Sequence, residues 1–88
     1  MPDVTIYTTA SCPYCIRAKA LLRKKNVSFR EIALDDDPEA RREMAAQAHG
    51  RRTVPQIFFN GVHIGDSDEL HELDRTGALD KLVAGLAR

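Results

Sequence analysis

Cys12 and Cys15 bracket Pro13 and Tyr14, and they are the two cysteines of the chain. Only a thiolate attacks a disulfide bond, so a redox thiol needs a lowered pKa and access to solvent. Cys12 falls at a cap position, just before a helix opened by Pro13, whose missing N–H is not needed in a first turn. There the unpaired N–H groups and the positive end of the helix dipole favour a negative sulfur. Cys15 comes one turn deeper on the same face, within disulfide reach. The spacing predicts a dithiol–disulfide couple, with Cys12 the exposed attacking thiol and Cys15 the resolving thiol. A purely structural bridge here is a poor use of the pair, since so short a loop restrains almost no chain entropy.

Two other readings compete. Zinc is the alternative chemistry of a C-x-x-C pair, and it requires a second pair of ligands. His49 stands alone, and His63 and His71 lie further apart than the roughly three to five intervening residues of a paired-histidine site. Packing as two free core thiols is the other reading, and a helix start after a strand is a poor place to hide both.

The elements that must hold the cysteines are legible on either side of them. Residues 4–8 are β-branched and aromatic and read as a strand. After Pro13, Ala18, Leu21 and Leu22 give a helical apolar face, while Arg17, Lys19, Arg23, Lys24 and Lys25 cover the other side, and Asn26 stops the helix. Residues 27–34 alternate well enough for a second strand. Asp37-Pro38 is a helix start, and that helix is expected to reach His49 with Gly50 as its C-cap. Asn60-Gly61 between two apolar runs predicts a two-residue hairpin turn, and Phe58 and Phe59 must point to opposite faces. Asp66 or Ser67 caps a short helix, and a last helix follows Gly77. The order β-α-β-α-β-β-α predicts an α/β fold, a four-stranded mixed sheet between helical layers, in one domain spanning 1–88.

Composition narrows the class. The 88 residues carry 13 basic and 13 acidic side chains, with 43% hydrophobic and 30% charged residues. That balance argues against nucleic-acid binding, which needs a basic surplus on one face. No apolar run approaches the ~18 residues of a membrane span, and Met1-Pro2-Asp3 does not open a signal peptide, so a cytoplasmic protein with no membrane partner is expected. Asp35-Asp36-Asp37 reads as a solvated loop with one N-cap, and His63 as a surface residue of a hairpin strand.

Cys12-Pro-Tyr-Cys15, Thr53-Val-Pro55 and Ile64-Gly-Asp-Ser-Asp-Glu-Leu70, in that order and spacing, resemble the glutaredoxin family over essentially the whole chain, most closely its small bacterial dithiol members. The resemblance implies a thioredoxin fold and a glutathione-binding groove. It implies that Thr53, Val54 and Pro55 face the cysteines with Val54–Pro55 cis, and that the Val54 backbone pairs with the cysteinyl part of glutathione as a short strand. It places the γ-glutamyl end against Gly65, Ser67 and Asp68, with helix-start N–H groups on the α-carboxylate and the Asp68 carboxylate on the α-ammonium. Tyr14 flanks the sulfur. Arg51 and Arg52 are left between holding the glycine carboxylate of glutathione and lying on solvated surface.

The implied activity is glutathione-dependent thiol–disulfide exchange on disulfide-bonded or glutathionylated client proteins, by a monomer that needs no metal. Its rivals are an iron–sulfur carrier with a cluster held by Cys12 and glutathione, and a redoxin fed by thioredoxin reductase. Thr9 replaces a lysine frequent in the family, and Asp66 stands where a second glycine is common. Both changes are expected to weaken electrostatic attraction for glutathione, Asp66 by adding an anion beside the γ-glutamyl end.

Overall fold

The computed structural model describes residues 3–86; Met1, Pro2, Ala87 and Arg88, the ends of the expected 1–88 domain, lie outside the described residues. Strand β1, Val4–Thr8, leads into helix α1, Pro13–Lys24; strand β2, Arg30–Ala33, and helix α2, Pro38–Gln47, follow. Strands β3, Gln56–Phe59, and β4, Val62–Gly65, form the hairpin, and helices α3, Ser67–Thr76, and α4, Ala78–Gly85, complete the chain. The sheet has four strands in the order β2-β1-β3-β4. β1 runs parallel to β2 and antiparallel to β3, and β4 is antiparallel to β3. This is the expected mixed sheet, with the topology of a thioredoxin fold.

β1 is buried along its whole length because both sheet faces are covered. Val4, Ile6, Ile57 and Phe59 pack with Ala18, Leu21 and Leu22 of α1, Leu70 of α3 and Leu79 of α4. The opposite face holds Tyr7 and Phe58 against Met44 and Ala48 from the α2 region. Tyr7 and Phe58 meet edge to face, their ring centres 5.6 Å apart. Phe58 and Phe59 thus serve separate layers, as strand alternation requires. Asn60 and Gly61 both take positive φ, 50° and 82°, the backbone a type I′ turn demands.

Two element ends depart from expectation. β2 begins at Arg30 rather than Val27, because the Val27 N–H is taken by the Leu22 carbonyl at the end of α1, at 2.9 Å. Val27 therefore packs into the core from a loop. Helix α2 ends at Gln47 rather than His49, because His49 and Gly50 both turn left-handed, at φ 58° and 83°, and the Gly50 N–H closes on Ala45 O at 2.8 Å. That tight turn leaves His49 projecting toward β4.

Candidate functional site

Cys12 is the N-cap of α1, in extended backbone, with Pro13 in the first turn behind it. Its sulfur plays the part usually given to an Asp or Ser oxygen: the Cys15 N–H donates to Cys12 Sγ at 3.2 Å. A donor so placed stabilises negative charge on that sulfur. Asp35 braces the approach to the cap, both its carboxylate oxygens accepting from the Ala10 N–H at 3.2 Å. Asp37 caps α2 through Ala40, so two of the three consecutive aspartates hold backbone and are not simply solvated.

Both thiols are free. Cys15 is 1% exposed and Cys12 9%. The order matches expectation, but Cys12 is mostly covered, not open, because its sulfur turns inward to the cap and lies 3.8 Å from the Val54 carbonyl. Burial, and next the contact with Cys12, push the Cys15 thiol from an ordinary 9.0 up to about 12, against smaller opposing effects of the Thr9 backbone and Lys19. Lys19 is itself held by Glu31, whose carboxyl the Thr8 hydroxyl and then Lys19 keep below the usual range.

The raised Cys15 has a consequence for stability. Its contribution is fully present below pH 9, where the unfolded thiol is also protonated, and is lost as pH rises from 9 toward 12. Thermal unfolding of the reduced protein is therefore expected to fall more steeply across that window than unfolding of Cys15→Ser. Parallel curves for the two proteins would refute the assignment.

Facing Cys12 is the segment 51–55, with a cis Val54–Pro55 bond. Three successive residues of it are tied to three different elements. Arg51 pairs with Asp66 at 2.9 Å and Glu69 at 2.7 Å at the start of α3. The Arg52 carbonyl accepts from Arg41 of α2 at 2.6 Å. Gln56 of β3 donates its amide N–H to the Thr53 carbonyl at 3.1 Å. Arg51 is thus neither a free ligand cation nor solvated surface; it clamps the loop to the helix.

Helix α3 opens on a capping box. Asp66 Oδ1 accepts from the Glu69 N–H at 2.9 Å, and Glu69 Oε1 accepts from the Asp66 N–H at 3.0 Å. The expectation that Asp66 adds an unbalanced anion is corrected: its carboxylate is committed to the cap and to Arg51. The spacing Asp66-x-x-Glu69 is itself a sequence signal for this box, and sequence reasoning passed over it. The cap leaves the Ser67 and Asp68 N–H groups as the unclaimed donors of the first turn among the described residues. Gly65, at φ 131°, brings the chain so close beneath the helix that a Cβ there would stand 2.6 Å from Glu69 Oε1.

An open groove of about 250 Å³ runs between these parts, lined by Tyr14, Thr53, Val54, Pro55, Asp66, Ser67 and Asp68. All the sequence-predicted binding residues except Gly65 line it, and Gly65 lies against Glu69 at the start of α3. Tyr14 is 54% exposed at one wall. Arg52 and Thr9 contribute nothing to the lining. Among the described residues no group of three or more His, Cys, Asp or Glu side chains converges as a metal site. The residues that sequence reasoning missed are the supporting ones: Arg41, Gln56, Glu69 and His63. His63 was expected at the surface, but it is half-buried, its ring 5.1 Å from Phe58 and its Nε2 2.7 Å from Gln56 Oε1.

Comparison with known proteins bears on this arrangement. The family model described as Glutaredoxin matches residues 4–64. A glutaredoxin of Pseudomonas aeruginosa is 57% identical over 84 residues, covering 96% of this chain and 99% of that protein. The solution structure of a Brucella melitensis glutaredoxin is 51% identical with a TM-score of 0.79, covering 91% of this chain and 86% of that one. A crystal structure of a buckwheat glutaredoxin–glutathione complex superposes with a TM-score of 0.88 at 27% identity, covering 98% of this chain and 80% of that one.

Proposed function

Because the chain belongs to the glutaredoxin family, and with it to the thiol–disulfide oxidoreductases, we propose that its reductant is glutathione and its clients are disulfide-bonded or glutathionylated proteins. The observation that carries this reading is the groove itself: it joins Val54, whose carbonyl lies 3.8 Å from the Cys12 sulfur, to Ser67 and Asp68, whose N–H groups are free among the described residues. An extended γ-glutamyl-cysteinyl-glycine chain pairs with the Val54 backbone through its central residue and places the α-carboxylate of its γ-glutamyl residue on the helix start. Asp68, exposed beside those donors, takes the α-ammonium, and Tyr14 covers the sulfur. A relative solved as a glutathione complex supports the same assignment.

The chemistry follows from the two thiols. The Cys12 thiolate attacks the glutathione sulfur of a mixed disulfide, the Cys12–glutathione bond forms, and the client leaves as a thiolate that takes up a proton. A second glutathione thiolate then attacks the glutathione sulfur on Cys12, releasing oxidised glutathione and restoring the Cys12 thiolate. With a client disulfide, Cys12 is first joined to the client. Cys15 loses its proton, attacks Cys12 Sγ and expels the client thiolate, leaving a Cys12–Cys15 disulfide for two glutathiones to reduce. Once Cys12 is in a mixed disulfide it is uncharged, so the Coulombic part of its contribution to the raised Cys15 pKa disappears. Attack by Cys15 is thereby favoured at the step that needs it. Glutaredoxin potentials of roughly −200 to −230 mV lie near the glutathione poise, which fits a cycle run by that pool in a reducing compartment such as the cytoplasm.

The deciding assay supplies NADPH with either glutathione and glutathione reductase or thioredoxin reductase alone, on a glutathionylated peptide. Turnover is expected with the first system only. Equal or greater turnover with thioredoxin reductase would overturn the glutathione assignment.

A further inference from the structure

A chain of hydrogen bonds runs from the protein surface to the groove and uses none of the groups named in the exchange chemistry. His49 Nδ1 lies 3.1 Å from His63 Nδ1, His63 Nε2 lies 2.7 Å from Gln56 Oε1, and the Gln56 amide nitrogen reaches Thr53 O at 3.1 Å and Thr53 Oγ1 at 3.3 Å. Gln56 is completely buried, at the first position of β3. A carbonyl oxygen can only accept, so it is the Gln56 NH₂ that faces Thr53 and the Gln56 oxygen that faces His63. His63 must therefore carry its proton on Nε2. In the neutral ring Nδ1 is then an acceptor, and His49 donates to it. Each link dictates the next.

The Thr53 end of this chain controls a donor in the groove. In a trans peptide the C=O and the following N–H point in opposite directions. Drawing the Thr53 carbonyl inward onto Gln56 turns the Val54 N–H outward, and among the described residues no backbone or side-chain acceptor takes it. We propose that His63 is a positioning residue which, through Gln56, holds the Thr53–Val54 peptide so that the Val54 N–H is presented to the ligand. This rests on the reading of the groove as the glutathione site and adds to it a residue that touches neither ligand nor thiol.

The device is sensitive to acid. One proton added to the histidine pair is tolerated, since either ring can donate to the other; a second places N–H on both facing Nδ1 atoms at 3.1 Å and pushes the rings apart. Burial first, and then the facing Arg51 and His49, hold His63 below the ordinary histidine range, while Glu69 and Asp66, which also face it, oppose them. At neutral pH the linked arrangement is therefore the populated one.

The test uses the full chain with His63→Phe, which keeps a ring over Phe58 but removes the donor, and His63→Gln, which restores an N–H donor that does not titrate. The Val54 amide is followed by ¹H–¹⁵N NMR from pH 5 to 8, and KM and kcat for a glutathionylated peptide are measured over the same range. In the wild type the Val54 resonance should move with His63 titration and KM should rise on acidification. His63→Phe should displace the resonance at all pH and raise KM about 3- to 10-fold, the worth of one hydrogen bond, with kcat little changed. His63→Gln should return both to wild-type values at neutral pH and abolish the acid-side rise. The inference is overturned by a Val54 amide that ignores His63→Phe, or by an acid-side rise that persists in His63→Gln. The NMR measurement needs no substrate, so a wild type inactive toward the glutathionylated peptide would strike the glutathione reading and leave the positioning result to be judged on the amide alone.

Discussion

Cys12→Ser is expected to bring disulfide reduction to background, a loss of at least about 10³-fold of the kind seen when a nucleophile is deleted, while Cys15→Ser keeps turnover on glutathionylated peptides within a few-fold. The asymmetry comes from the helix start. Cys12 Sγ receives the Cys15 N–H, and Cys12 is the better exposed of the two residues; Cys15 is 1% exposed and its pKa is pushed up to about 12. At neutral pH almost no Cys15 is thiolate, and thiolate is the reacting form. Serine at position 15 leaves the Cys12 attack and the glutathione attack intact, because neither uses a second cysteine. It should abolish reduction of stable protein disulfides, in which a resolving thiol must expel the client. Timed alkylation with iodoacetamide and mass spectrometry gives the check independent of turnover: Cys12 should be modified first. Faster labelling of Cys15 would reverse the roles assigned to the pair.

A large loss of stability is expected at Leu22. Its side chain is completely buried where α1 meets Val4, Ile6, Ile57, Phe59 and Leu70. Leu22→Ala removes one methine and two methyl carbons from a close-packed layer and leaves a cavity, at a cost of about 2–5 kcal/mol. A domain of this size has a total stability of about 5–10 kcal/mol, so the midpoint of thermal unfolding should drop by about 10–30 °C. Leu82, 39% exposed on α4, is the control, and Leu82→Ala should cost under about 1 kcal/mol. Chemical denaturation at fixed pH measures both. If the two variants lose stability equally, Leu22 does not anchor α1 to the sheet in the way described. Well below its midpoint Leu22→Ala should still label at Cys12 at the wild-type rate, because the cap geometry depends on Pro13 and the first turn rather than on the far end of the helix.

What could be read in the sequence is what depends on neighbours a few residues away. Pro13 and Asp37-Pro38 open helices, and Asn60-Gly61 closes a hairpin, because each acts through its own backbone or a donor three positions on. The same holds for the Cys12–Cys15 pair, whose joint position at a helix start follows from spacing alone. The two layers of the core were legible through Phe58 and Phe59, since strand alternation sends adjacent residues to opposite faces. The placement of Thr53, Val54 and Pro55 opposite Cys12 came from resemblance to a family, and the tertiary structure puts Val54 O 3.8 Å from the sulfur. Nothing local encodes that approach across the sheet.

The supporting shell was decided by the tertiary structure alone. An arginine in a loop and two acids at a helix start have many possible partners; only the packing of α3 beside segment 51–55 selects the clamp of Arg51 on Asp66 and Glu69. For the same reason Asp66, read from sequence as an added charge against the ligand, proves to be a neutralised cap. Gln56 is the polar first residue of β3, and His63 was expected at the surface. The register that sets His63 across from Phe58, and the left-handed turn that delivers His49, convert them into one hydrogen-bonded chain from the surface to buried Gln56. Covering of Cys12 has the same origin, because the cis-proline segment that shields it belongs to a distant part of the chain. Charge and hydrogen-bonding capacity are written in the residue types, but which groups satisfy one another depends on distances of about 3 Å, and those exist only once the sheet and helices have closed around them.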